Sequence, residues 1–83
     1  MKKEHYRTAD VTLAAVILSI TSAHLLLVDR KKEEAEFVFF RDDVPEEIVE
    51  AYERGDLRIE PVTFSMVLRY VMFKATKENE GGE

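Results

Sequence analysis

Between Asp10 and Asp29 the chain runs through eighteen residues without a formal charge, VTLAAVILSITSAHLLLV. The run is not uniform. Thr12, Ser19, Thr21, Ser22 and His24 are polar, and four of these five fall within the six positions from Ser19 to His24. They split the run into VTLAAVIL and LLLV. The first part predicts a helix over about residues 9–22, started by Thr8 or Asp10, whose side-chain oxygen can accept from the unpaired amides of the first turn. Val11, Leu13, Ala14, Val16, Ile17, Leu18 and Ile20 would cover most of its circumference, the pattern of a helix with neighbours on more than one side. The second part is short and bounded by polar residues, as a buried strand is.

HLLLVDR (24–30) and AEFVFFR (35–41) predict two strands joined by KKEE. Four residues cannot make a crossover, so the pair is an antiparallel hairpin. A four-residue loop sets Arg30 opposite Ala35, Val28 opposite Phe37 and Leu26 opposite Phe39. One face then carries Leu26, Val28, Phe37 and Phe39, and the other Leu25, Leu27, Val38 and Phe40. A hairpin with one wet face should alternate apolar and polar positions. This one does not, which predicts cover on both sides.

Beyond it, Pro45 opens a second helix, where a missing amide proton does no harm. Asp43 and Glu46 have the spacing of a capping box, with Val44 as the alternative cap if Pro45 shifts it. The helix EEIVEAYER turns Ile48, Val49 and Tyr52 inward and four glutamates outward, and Gly55 ends it. DLRIE alternates and predicts a short strand or an extended arm. Pro61 opens a third helix with Phe64, Val67, Leu68, Val71 and Met72 at helical spacing, flanked by Tyr70 and Phe73. The expected fold is α+β, in the order α-β-β-α-(short β)-α, with the antiparallel hairpin packed against helices. It forms a single domain over residues 5–77, with flexible termini at 1–4 and 78–83. The two most apolar helices, the first and third, are expected to share one face of the sheet.

The succession YRTADVTLAAVIL, HLLLVDR, FVFFRDD, ERGDLRIEPVTF and VLRYV resembles a family of small bacterial domains of unknown function. Its pattern is a Y-[RK]-T-x-D start, an apolar helix and a hydrophobic hairpin, followed by two helices. The resemblance spans about residues 5–73 and implies the same order of elements. It implies no activity, substrate or catalytic residue.

Composition narrows the chemistry. A spanning helix needs about 20 mostly apolar residues, so length alone admits a membrane segment or, behind the basic MKK, a signal peptide. The polar break from Ser19 to His24 argues against both; Glu4, Tyr6, Arg7 and Asp10 ahead of the apolar region, with no convincing small-x-small cleavage site, argue further against a signal peptide. The expected location is the cytoplasm, with no membrane contact. The absence of cysteine excludes disulfides and thiolate chemistry. Three glycines, at 55, 81 and 82, make no phosphate-cradling loop. His5 and His24 lack metal-ligand spacing. The acids Asp42, Asp43, Glu46, Glu47 and Glu50 lack the glycine turn of a calcium loop, and they suit the positive end of a helix dipole instead. No cofactor, metal or catalytic group is expected.

What remains is contact. A chain of 83 residues buries a thin core, so a second apolar hairpin face would be stabilised by a partner. The reading is a small interaction or regulatory module, non-enzymatic and self-associating as a homodimer, with Leu25, Leu27, Val38, Phe39 and Phe40 as candidate contact residues. The second reading is a nucleic-acid-binding accessory protein with a basic patch of Arg58, Arg69, Lys74 and Lys77. The net charge of −5 counts against it.

Overall fold

The structure is a computed structural model, described here for residues 4–31 and 33–76. Strand β1 (His5–Thr8) leads into helix α1 (Val11–Ile20), then β2 (Leu27–Asp29) and β3 (Glu36–Phe40). A 3-10 turn over Arg41–Asp43 precedes α2 (Glu46–Arg54) and α3 (Pro61–Thr76). The α+β class is therefore established. The sheet is antiparallel, in the order β1-β3-β2.

The YRTAD segment makes the first turn. Thr8 Oγ1 accepts from the amide of Asp10 at 3.0 Å, and Asp10 Oδ1 accepts from the amide of Leu13 at 3.1 Å. Asp10 is thus the cap of α1, which starts two residues later than the pattern predicts. The polar break ends the helix through a local mechanism. Ser19 and Thr21 donate their hydroxyls to the carbonyls of Ala15 and Ile17, four residues back, and the Thr21 hydroxyl then accepts from the amide of Ala23. Such bonds compete with the helical ladder and release the chain from it. In between, Leu13 to Ile17 are all buried, so α1 is the central helix. No helix among the described residues is long and apolar enough to cross a membrane.

The hairpin keeps the expected register, with Val28 opposite Phe37 and Leu27 opposite Val38, although β2 is only three residues long. The unforeseen element is β1. Residues 5–8, to which the pattern assigns no strand, pair with Phe37–Phe40 of β3, with His5 opposite Phe40 and Thr8 opposite Phe37. That makes β3 the central strand, with Phe37, Val38 and Phe39 all buried. Conversely, residues 56–60 form no strand and run as an irregular arm into α3. The third strand of the sheet comes from the other end of the chain.

The two faces of the sheet differ. Phe37 and Phe39 point into the core with α1, Val44 and Val71, and Tyr6 and Val28 pack beside them. Arg7, Leu27, Val38 and Phe40 share the opposite face. Val38 there is buried between its cross-strand neighbours yet lies outside the core cluster. On this face Arg7 reaches across β3 to Asp29 at 2.9 Å and Glu36 at 3.2 Å. Charged side chains, rather than a second layer of helices, dress this side. The two-sided cover that the apolar hairpin predicts is not built within the described residues.

In α2, Ile48, Val49 and Tyr52 pack against the core as expected. The capping box is absent: Pro45 is the cap residue and no side chain bonds there, because Pro45 holds an extended backbone and Asp43 is drawn into the 3-10 turn. Gly55 ends the helix with φ 77°. Its amide donates to the Tyr52 carbonyl, and that of Asp56 to the Ala51 carbonyl, the paired bonds of a left-handed helix stop.

Candidate interaction surface

Helix α3 begins with Pro61 at its first position and Glu60 before it. Glu60 is long for a cap, yet its two carboxylate oxygens accept from the amides of Thr63 at 2.7 Å and Val62 at 3.1 Å. Those bonds hold its carboxyl below the usual range. At the other end the Arg30 guanidinium donates to the Lys74 carbonyl, placing a cation where helix carbonyls carry partial negative charge. The helix is thereby pinned at both ends.

Between those pins α3 is apolar on two opposite faces. Val71 is fully buried, and Phe64, Val67, Leu68 and Ala75 pack on the core beside it. At about 100° per residue, Val62, Met66, Tyr70 and Phe73 fall within roughly 80° of one another, on the side away from Val71. They are 64%, 64%, 49% and 56% exposed, respectively. Met72, read from the sequence as an inner residue, is exposed on the flank, and Ala75 takes its place inside. Lys74 sets its ammonium 5.9 Å from the Tyr70 ring centroid, and Arg69 is exposed beside the stripe. Four large apolar side chains on one solvent-facing helical stripe amount to roughly 450 Å² of surface, within the range of the largest patch on a small monomer and of functional patches.

The candidate contact residues of the hairpin do not form one surface. Phe39 is wholly buried on the inner face, and Leu25 packs against the core. Leu27 is exposed, Val38 buried and Phe40 half-buried on the opposite face, where the His5 ring stacks on Phe40 with centroids 5.9 Å apart. Of the basic group, Arg69 and Lys74 lie on α3, Arg58 is exposed in the arm before it, and Lys77 lies outside the described residues. Of the flexible termini expected at 1–4 and 78–83, all but residue 4 also lie outside the described residues.

The sequence reading missed Val62 and Met66. The signal was available: Val62, Met66, Tyr70 and Phe73 are a 4-4-3 series of their own. It was masked by the stronger inner series on the same helix.

Other features are structural in character. Tyr52 donates to Asp10 Oδ2 at 2.9 Å, and burial, followed by that bond, pushes its phenol above its ordinary value. Beside it lies a groove of about 300 Å³ lined by Val16, Tyr52, Gly55, Leu57, Ile59 and Phe64. A ligand site combines apolar walls with several convergent polar groups. Here the only side-chain polar group is the Tyr52 hydroxyl, already engaged by Asp10. Arg41 lies over the Tyr6 ring at 5.5 Å. Among the described residues no three His, Asp or Glu side chains are grouped to hold a metal ion.

Comparison with known proteins gives no match to any family model, curated protein or solved structure.

Proposed function

We propose that this chain is a non-enzymatic interaction module whose contact surface is the outer face of α3. One observation carries the reading: a helix already anchored in the core through Val71 presents a second stripe of Val62, Met66, Tyr70 and Phe73 to solvent. A small domain stabilises itself by burying such residues, so four exposed together on one helix need a reason outside the fold. The hairpin face is the weaker candidate, because the Arg7–Asp29–Glu36 pairing crosses it and leaves Leu27 as its most exposed large apolar residue.

The test separates surface from core. Measured at about 1 µM or below, where association between copies contributes little, Met66→Glu is expected to leave the thermal midpoint within about 2 °C of wild type, as a surface change does. Val71→Glu, which buries an unpaired charge, is expected to unfold the domain. If Met66→Glu unfolds the chain as Val71→Glu does, the stripe belongs to the core and the reading fails.

A second reading has one observation in its favour. Arg69 and Lys74 flank the exposed rings of Tyr70 and Phe73, a combination that can stack bases and neutralise phosphates. The acidic balance opposes it, and binding that weakens steeply with salt would support it.

A further inference from the structure

From the order of residues along α3 we infer that the occupant of its outer face is the same face of a second copy, the two helices lying antiparallel about a two-fold axis. The inference rests on the reading that this face is the contact surface, and it names the partner.

The stripe is self-complementary in one direction only. Its N-terminal half is aliphatic, Val62 and Met66, and its C-terminal half aromatic, Tyr70 and Phe73. Antiparallel pairing centred near residue 68 sets each Met66 against the partner's Tyr70, and each Val62 against the partner's Phe73. Thioether–aromatic contact is favourable, and a small side chain facing a large ring leaves neither gap nor overlap. Parallel pairing would stack like on like, with Val62 against Val62 at one end and rings crowded at the other.

Charge points the same way. Glu60 stands at the N-terminal end of α3 with its carboxylate on the Val62 and Thr63 amides, and Lys74 stands near the C-terminal end with its ammonium over the Tyr70 ring. Antiparallel pairing brings each Glu60 within reach of the partner's Lys74 and opposes the two helix dipoles. Parallel pairing places like charges level with one another. Arg69 lies nearest the axis and meets its own mate, a repulsion that salt screens at an exposed site.

Area sets the strength. Sixteen residues make α3 about 24 Å long. The stripe and the stems of Arg69 and Lys74 together bury roughly 600–700 Å² per chain, near the lower limit for a specific interface. A dissociation constant on the order of 1–100 µM is expected. Phe73→Glu would weaken it by roughly a hundredfold.

The chain has no cysteine, so single cysteines can report the geometry under mild oxidation. A mixture of Val62→Cys and Phe73→Cys chains is expected to form the mixed disulfide dimer severalfold faster than either variant alone. Glu47→Cys, on the exposed side of α2, serves as the control. Self-cross-linking of each α3 variant as fast as the mixture means parallel helices and overturns the arrangement. Control-level rates for all variants, with a wild type that sediments as a monomer at about 300 µM, well above the expected dissociation constant, overturn self-pairing altogether. In that case an unaltered melting point for Met66→Glu would still leave α3 as a contact surface for another protein, so the two failures are distinguishable.

Discussion

Asp10 shows how much one side chain carries in so small a domain. One oxygen caps α1 at Leu13 and the other accepts from Tyr52 on α2, 42 positions along the chain. Removing a cap costs about 1 kcal/mol, and a hydrogen bond to a charged group contributes about 1.5–3 kcal/mol. Because the Tyr52–Asp10 bond is exposed to solvent and falls at the low end of that range, Asp10→Ala is expected to destabilise by about 2–3 kcal/mol in denaturant unfolding, and Tyr52→Phe by about 1–2 kcal/mol. A cycle of the two substitutions should show coupling between them. Glu60 makes the matching prediction for pH. Its carboxyl, held down by the Thr63 and Val62 amides, is depressed in the folded chain. The unfolded chain then binds more protons in the acid range, so stability rises with pH there. This contribution is complete above the ordinary carboxylate value and is lost as pH falls through the depressed one. Asp29 acts with the same sign, held down by the Lys31 amide and then by Arg7. Glu60→Gln is expected to flatten the acid limb of a melting-temperature profile while leaving its alkaline limb unchanged. An unaltered acid limb would mean that the cap is not formed in solution.

At the scale of elements, the stop of α2 gives a sharp expectation. Gly55 has φ 77°, and apart from Gly55 itself and its two chain neighbours no heavy atom lies within 4 Å of where a Cβ would sit. Gly55→Ala should therefore cost only the backbone penalty of the left-handed conformation, about 1–2 kcal/mol. Gly55→Asn should cost less, since asparagine tolerates that region. The hairpin register and the three helices were legible because each rests on a local rule: the loop length, the polar break at Ser19–His24, the two prolines and Gly55. Strand β1 was not legible. Nothing in HYRT alternates strongly, and its place is set by pairing with β3, more than 25 residues away along the chain. The arm at 56–60 alternates as a strand would but pairs with none of the three strands; local pattern suggests strands, and only the sheet decides which pair. The proposed contact surface was half legible. Tyr70 and Phe73 were placed at the margin of α3, while Val62 and Met66 became visible once Val71 fixed which side of the helix faces inward.

For the whole molecule, the layering explains why contact is the favoured role. The described helices bury one face of the sheet, the other is dressed by Arg7, Asp29 and Glu36, and the surplus apolar surface is displaced to the outside of α3. The proposed association through that surface would link stability to concentration. The thermal midpoint is expected to rise with protein concentration for the wild type and to stay flat for Phe73→Glu. Oxidative footprinting of the wild-type chain at low and high concentration tests the self-pairing of α3 most directly, because each side chain reports its own exposure. Reactivity at Met66, Tyr70 and Phe73 is expected to fall together as concentration rises through the tens of micromolar range. Met72, exposed on the flank of the same helix, should change less, and Leu27 on the sheet not at all. Unchanged reactivity at Met66 up to the highest concentration, or protection at Leu27 and Phe40 in its place, would contradict it.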